Sequence, residues 1–186
     1  IVPAGLSLTW LRGSFEDAPE LAETFRNYDD AVKELFFSNL DRMDKQRDES
    51  PFVGNEVCAG CHAEIVSIWQ KSRHAHAFAT LENKGKHFDP ECLACHVVGL
   101  KPWEAPENAS VEDRKFAGGT GFLSLQTTPH LKNVQCENCH GPARTHLENN
   151  NIKPANNDPK MICANCHQGS HSPVFDFETY WPKIKH

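Results

Sequence analysis

Cys136-Glu137-Asn138-Cys139-His140 is one of four copies of the pattern Cys-x-x-Cys-His, and these copies decide how the chain is organised. We number them in chain order as motif 1 (58–62), motif 2 (92–96), motif 3 (136–140) and motif 4 (163–167). The pattern is typical of covalent c-type haem attachment. Its two thiols reach the two vinyl groups of one porphyrin edge, and the histidine binds the iron.

The four motifs use every cysteine in the chain. The predicted thioether-forming residues are Cys58, Cys61, Cys92, Cys95, Cys136, Cys139, Cys163 and Cys166, and the predicted proximal ligands are His62, His96, His140 and His167. The sequence therefore predicts four covalent c-type haems, each containing iron.

Zinc and disulfides are the alternatives for the same cysteines. Eight cysteines would supply two four-thiolate zinc sites, and they would also supply a disulfide framework. Neither alternative requires a histidine directly after each cysteine pair, and the whole chain has only 11 histidines. The repeated histidine therefore favours haem over both.

The chain has few hydrophobic residues with which to form an apolar core by protein side chains alone. Only 39% of the 186 residues are hydrophobic, and the mean hydropathy is -0.57. Four porphyrins would supply the missing apolar surface. We expect a mostly α fold with long irregular loops and minimal β-structure, organised around the haems. We also expect the chain without haem to be largely unfolded, because the cofactor supplies folding energy.

Charge argues against a nucleic-acid-binding protein, and hydropathy argues against a transmembrane helix. The formal charge is -6 and no basic stripe is present, which argues against nucleic-acid binding. No apolar run approaches the roughly 20 residues of a transmembrane helix. Because c-type haems are attached outside the cytoplasmic membrane, we expect an exported protein, at the periplasm, the cell surface or beyond. The start at Ile1, without methionine or a signal-like stretch, suggests a mature, processed form.

Residues 1–53 contain neither cysteine nor histidine, and we assign them as a helical N-terminal extension without haem ligands, followed by a tetrahaem domain at 54–186. Asp17-Ala18-Pro19 predicts a helix start, and Asp29 or Asp30 is a candidate second start. The extension either covers the haem domain or packs on a neighbouring subunit. Further on, the pattern predicts a helix from Cys61 to about Thr80 and a short strand over 122–126.

Each iron also needs a sixth ligand or an open face. Two methionines are present, and Met43 falls in an amphipathic stripe, so histidine is the expected distal ligand. The histidines outside the motifs are His74, His76, His87, His130, His146, His171 and His186. Bis-histidine ligation predicts low-potential, low-spin haems.

Several stretches resemble the tetrahaem cytochromes that accept electrons from hydroxylamine oxidoreductase. They include motif 1 followed by Trp69 and Ser72-Arg73-His74-Ala75-His76-Ala77, motif 2 followed by Val97 and Gly99, then Gly118-Gly119, then Val134-Gln135 leading into motif 3 and Gly141-Pro142, and finally Phe175-Asp176-Phe177 with Ile184-Lys185-His186. The resemblance covers about residues 54–186 and implies stacked haem pairs joined by a more perpendicular contact.

The resemblance also implies distal ligands. It assigns His74 to the third haem, His146 to the first and His186 to the fourth, and it implies a five-coordinate second haem with an open face. His130, six residues before Cys136, is a candidate sixth ligand for that second haem. The sequence therefore leaves undecided whether this haem is five-coordinate or six-coordinate.

Three functions fit these features. The first is an electron carrier without chemistry of its own, exchanging electrons with a redox protein donor and acceptor. The second is a homo-oligomer or a head-to-tail conductive filament, which a ligand-free extension and a terminal His186 would suit. The third is enzymatic reduction of a small nitrogen oxide at an open second haem. We expect the first, and therefore no enzyme.

Overall fold

The computed structural model describes residues 18–45, 50–100, 120–153, 158–169 and 172–186. Within these ranges the backbone is helical or irregular, which confirms the predicted mostly α fold. The α-helices are α1 (Pro19–Lys45), α2 (Asn55–Cys58), α3 (Ala63–Gln70), α4 (Ala77–Asn83), α5 (Pro90–Leu93), α6 (Cys136–His140), α7 (Arg144–Glu148), α8 (Pro159–Ala164) and α9 (Phe177–Tyr180). Three 3₁₀ turns lie at Arg73–His76, Pro129–Leu131 and Trp181–Lys183.

α1 is a single uninterrupted helix, so the candidate second start at Asp29 or Asp30 is wrong. The predicted start is correct. Proline suits the first helical position because its missing N–H has no partner there anyway. Asp29 pairs instead with Lys86, in the segment that follows α4, and this ion pair ties the middle of α1 to the rest of the chain.

The two halves of α1 differ in burial. Val32 and Phe36 are 7% and 5% exposed, whereas Leu21, Phe25 and Tyr28 in the first half are 49%, 63% and 47% exposed. The second half packs on the apolar core, so at least that half of the predicted extension covers the remainder of the chain.

The apolar core surrounds motif 2. Its buried members are Val32, Phe36, Phe78, Leu81, Phe88, Leu93, Val97, Val98, Leu100, Phe122 and Leu131. They come from α1, α4, α5, the 3₁₀ turn at Pro129–Leu131 and irregular segments of the chain. The last member in the chain is Leu131, so motif 3 and motif 4 lie outside this cluster.

The helix predicted from Cys61 to about Thr80 is wrong in its middle. α3 ends at Gln70, and Ser72 is extended, with φ -83° and ψ 160°. The Ser72 hydroxyl donates to the Trp69 carbonyl at 2.6 Å, so this carbonyl at the end of α3 has a hydrogen-bond partner close in the chain. The chain then re-enters helix through Arg73–His76 and α4, and this break sets the position of His74.

The strand predicted over 122–126 is also wrong. Phe122 and Leu123 are both buried, so the segment has no exposed face of the kind that alternation implies. The Thr128 side chain binds the Leu123 N–H at 2.7 Å, where a strand would need a neighbouring strand. The β-pairing recorded in the described ranges is one isolated bridge, between Val97 and Lys132.

Gly99 and Gly121 let two backbone segments approach closely beside motif 2. Gly99 has φ +73°, and a Cβ placed there would lie 2.4 Å from a ring carbon of Phe52 and 2.8 Å from Gly121 Cα. A Cβ on Gly121 would lie 2.4 Å from the carbonyl oxygen of Val98. This contact fixes the position of the segment that follows motif 2.

Candidate functional site

Each motif forms one tight turn at or beside a short helix. The His62 N–H binds the Cys58 carbonyl at 2.8 Å, and the His167 N–H binds the Cys163 carbonyl at the same distance. In motif 2 the His96 N–H binds Leu93 at 2.9 Å. Residues three and four apart share one face of such a turn, so each motif presents its two thiols and its imidazole together.

Three motif histidines lie beside a histidine from outside the motifs. The ring centroids are 6.4 Å apart for His62 and His146, 6.1 Å for His74 and His167, and 5.8 Å for His140 and His186. In each pair one ring belongs to a motif and the other to a distant part of the chain.

These separations fit an iron held between two imidazoles. A metal–imidazole bond is about 2 Å long, which puts two opposed nitrogens roughly 4 Å apart and the ring centres about 6 Å apart. Zinc fits less well: in the part of the chain that the structure describes, no group of three or more His, Cys, Asp or Glu side chains has metal-site geometry. The four motifs therefore fit the predicted cofactor.

Hydrogen bonds orient several of these rings. Nδ1 lies 2.6 Å from the Ala77 carbonyl in His96, 2.8 Å from the Ile152 carbonyl in His146 and 3.1 Å from the Ile184 carbonyl in His186. A carbonyl only accepts, so Nδ1 carries the proton and Nε2 is left as the metal-binding atom. Such second partners fix the tautomer and the direction of a ligating imidazole.

His74 and His167 are held in the neutral form that a metal requires. Burial lowers the pKa of His74, and the nearby His167 lowers it further. Burial likewise lowers the pKa of His167. The Nδ1 of His167 also lies 2.9 Å from the Ser172 hydroxyl.

The pairings differ from those that the family resemblance implies for two of the histidines. His74 lies beside His167 of motif 4 rather than beside motif 3, and His186 lies beside His140 of motif 3 rather than beside motif 4. His146 lies beside His62 of motif 1.

The surroundings of motif 2 are different. Within the described ranges, no second histidine ring is recorded beside His96. His130 is exposed and lies next to Gly54. A Cβ atom built on Gly54 would be 3.4 Å from the ring atom Cδ2 of His130. His76 is also exposed, and His171 lies outside the described residues. His87 has a buried Nδ1 without a hydrogen-bond partner among the described residues, and its ring lies near the rings of Phe78 and Phe88.

Thiols of different motifs also contact one another. Before haem is attached, the Cys58 and Cys136 thiols hydrogen-bond, which raises the pKa of the first and lowers that of the second. A hydrogen bond with Cys166 lowers the pKa of Cys95 to about 7. These contacts join motif 1 to motif 3 and motif 2 to motif 4.

The third and fourth motifs are neighbours as well. Burial raises the pKa of the Cys139 thiol, and the nearby Cys163 raises it further. Burial also raises the pKa of Cys163 and, in motif 2, raises that of Cys92 to about 11.

Motif 3 and the residues before it anchor the first two motifs, a role that the sequence pattern did not reveal. The Gln135 side chain accepts from the Asn55 N–H at 2.7 Å, and the Asn138 side chain donates to the Val97 carbonyl at 2.8 Å. The Trp69 indole donates to the Val134 carbonyl at 2.7 Å. We call the segment 133–138 the anchor segment.

Large apolar side chains are exposed next to the motifs. The exposed fractions are 46% for Val57, 42% for Ile68, 46% for Leu147, 71% for Met161 and 78% for Val174. Each lies close in the chain to a motif residue or to a paired histidine. Porphyrin faces are apolar plates of the kind that would cover such side chains.

A membrane span is not found among the helices described. None of them combines the length and the apolar character needed to cross a bilayer.

Comparison with known proteins agrees with this site. The family model described as cytochrome c554 and c-prime matches residues 57–141, which contain motifs 1 to 3. Cytochrome c-554 of Nitrosomonas europaea is 28% identical over 111 residues, which cover 52% of this chain and 40% of that protein. The chain thus aligns with less than half the length of this relative. No solved structure matches.

Four attachment motifs, histidine pairs at the spacing of bis-imidazole iron, and this family match support the same identity. Residues 57–141 of the chain are similar to the cytochrome c554 and c-prime family, and its four Cys-x-x-Cys-His motifs bind four c-type haems covalently.

Proposed function

We propose that the chain is an electron carrier that passes electrons along its four haems between a protein donor and a protein acceptor, without catalysing a reaction of its own. Each bound haem supplies a reversible exchange of one electron. The observation that carries the proposal is the contact between thiols of different motifs, which brings the four attachment sites into one series.

The contacts order the motifs as 1, 3, 4 and 2. Cys58 contacts Cys136, Cys139 neighbours Cys163, and Cys166 contacts Cys95. Motifs 1 and 2 are then the ends of the series, and motifs 3 and 4 are its middle. An electron that enters at one end must pass both middle positions before it leaves at the other.

In this proposal the histidine pairs would hold three of the four irons. His146 serves motif 1, His186 serves motif 3 and His74 serves motif 4, in each case opposite the motif's own histidine. Two imidazoles on each of these three irons would keep its potential low and would fill the position where a substrate would bind. The assignment exchanges His74 and His186 relative to the family resemblance.

A second candidate function concerns motif 2. In the described part of the chain His96 has no histidine ring recorded beside it, so the second haem is the one position where an open face would let a small nitrogen oxide bind and be reduced. His130 as its sixth ligand stays a prediction from the sequence. The second function requires an open site and is excluded if His130 fills it.

Location and assembly follow from the same features. Covalent c-type haem requires export, so we place the carrier in the periplasm, at the cell surface or outside the cell. Assembly into a filament stays a hypothesis. It is supported by the motif order, which puts two haems at the ends, and by the exposed Leu21, Phe25 and Tyr28 on α1. Electron microscopy of the concentrated holoprotein tests it, and discrete particles would exclude it.

The experiment that tests the carrier is a spectroelectrochemical titration of the holoprotein, followed by stopped-flow assays. We expect four reversible one-electron steps at low potential and no turnover of nitric oxide or hydroxylamine. Turnover would support the enzyme instead. Fewer than four reversible steps would contradict a carrier that uses all four motifs.

A further inference from the structure

Glu137 is a buried carboxylate between motif 1 and motif 3. It follows Cys136 in the chain and is only 4% exposed. Its two oxygens lie 3.1 and 3.0 Å from the Val53 N–H, and Oε2 lies 2.9 Å from the Gly54 N–H. Oε1 also accepts from the Ala143 N–H at 2.8 Å. One side chain therefore joins the entry to motif 1, motif 3 itself and the turn after it.

These contacts suit the anionic form of the side chain. Every hydrogen bond to this side chain comes from a backbone N–H donor. If the carboxyl group were protonated, its O–H would face one of these donors and would find no acceptor. Hydrogen bonds to a charged carboxylate are about twice as strong as those to a neutral group. The fold therefore holds a negative charge at this buried position.

The charge lies beside two haem attachment points. Cys58 and Cys136 are in contact with each other, and Cys136 is covalently next to Glu137. In the chain before haem attachment, the hydrogen bond with Cys136 and burial raise the pKa of the Cys58 thiol, and the charge of Glu137 adds to that rise. Glu137 also opposes the fall in the pKa of Cys136. Its electrostatic influence thus reaches both sulfur atoms.

We infer that Glu137 is a tuning residue whose buried negative charge lowers the reduction potentials of the haems on motif 1 and motif 3. The inference rests on the proposed electron-transfer function. Ferric haem carries one more positive charge than ferrous haem, so a nearby anion stabilises the oxidised form. The effect is larger in a buried setting because the low dielectric screens the charge weakly.

Motif 2 offers a matched comparison. Glu91 lies directly before Cys92, as Glu137 lies directly after Cys136, but Glu91 is exposed. Glu91 also contributes to the raised pKa of the Cys92 thiol before haem attachment, but water screens an exposed charge, so Glu91 should have little effect on the potential of its haem. Neutralising each residue in turn separates buried charge from charge in general.

The test is a spectroelectrochemical titration of holoprotein carrying Glu137→Gln, Glu137→Asp or Glu91→Gln. We expect Glu137→Gln to move two of the four potentials upward, Glu137→Asp to keep them closer to wild type, and Glu91→Gln to leave all four unchanged. Haem content and spin state are measured on each variant against the wild type, so that loss of a haem or of a ligand is not mistaken for tuning. Four haems with wild-type spin states and unchanged potentials in Glu137→Gln would overturn the inference.

A measurement on the wild-type protein covers the case in which Glu137→Gln fails to fold. Infrared difference spectra between the oxidised and reduced holoprotein, with isotope-labelled glutamate, should show a carboxylate band that shifts on reduction. Absence of any glutamate carboxylate shift would contradict the inference. If the wild type itself lacked four reversible haems, the proposed function would fail instead, independently of Glu137.

Discussion

The imidazole rings of His74 and His167 lie with their centroids 6.1 Å apart, although the two residues belong to opposite ends of the haem-binding region. His74 reaches this position because Ser72 interrupts the helix after motif 1 and redirects the chain. The pair places an imidazole from the first third of residues 54–186 beside the histidine of the last motif. Folding of this region is therefore tied to completion of the chain.

Replacing His74 with glycine should convert one haem from low spin to high spin, because its iron loses an axial imidazole. Electron paramagnetic resonance and the visible spectrum measure the change. Added imidazole should restore the low-spin spectrum by filling the vacated position. His76→Gly is the control, since His76 is exposed and lies two residues away. The same spin-state spectrum in His74→Gly as in the wild type would contradict the assignment.

The second haem should bind carbon monoxide in the reduced wild-type protein at one molecule per chain. The reason is that no histidine ring is recorded beside His96 within the described ranges. Optical titration with carbon monoxide measures the stoichiometry. His130→Ala should leave it unchanged. If the wild type bound none and His130→Ala bound one, His130 would be the sixth ligand and the site would be closed.

Removing the Ser172 hydroxyl should raise the potential of one haem, the one on motif 4. The hydroxyl lies 2.9 Å from Nδ1 of His167, and an accepted hydrogen bond makes the imidazole a stronger ligand for ferric iron. Ser172→Ala removes that acceptor, and potentiometry of the holoprotein follows the result. Ser38→Ala makes the same chemical change at an exposed serine whose hydroxyl donates to the Leu35 carbonyl within α1, and it should shift nothing. Equal shifts in both variants would count against the mechanism.

Phe36→Ala should destabilise the protein by about 3–5 kcal/mol, because it leaves a cavity in the buried core. Phe36 is 5% exposed, whereas Phe25 on the same helix is 63% exposed. Phe25→Ala should therefore change the unfolding free energy by roughly 0.5 kcal/mol or less. Chemical denaturation of the two holoproteins gives the comparison. Similar losses in both would mean that α1 does not pack through its second half.

Gly99→Ala should destabilise the protein by about 1–3 kcal/mol more than Gly85→Ala. Both glycines have positive φ, +73° and +64°, so both substitutions carry similar backbone strain. Only Gly99 is crowded: its Cβ would meet Phe52 at 2.4 Å, whereas nothing lies within 4 Å of a Cβ on Gly85. Thermal unfolding measures the difference. Equal effects would show that the close contact with Phe52 and Gly121 relaxes at little cost.

The sequence predicted the parts of this fold that local chemistry determines. The attachment motifs are short and their residue types are specific, and Pro19 marks the start of α1 through its fixed backbone angle. The second helix start failed because Asp29 is used in an ion pair with Lys86 rather than as a cap. That choice depends on a residue far along the chain, which local pattern cannot reveal.

The same reason explains what was not foreseen at the site. The pairing of His186 with His140 depends on how distant segments pack, and spacing along the chain carries no such information. Glu137 occupies one of the two variable positions of motif 3, so the motif itself gives no reason to single it out. Its importance appears only when Val53 and Gly54 are seen to donate to it.

The anchor segment has a consequence for how such chains diverge. Because the residues 133–138 bind Asn55 and Val97 directly, the first three motifs are held by contacts that do not pass through the connections between them. Lengthening a surface connection costs little free energy, since closure entropy grows only slowly with length. Relatives can therefore gain or lose residues between motifs while the distances over which electrons move stay the same.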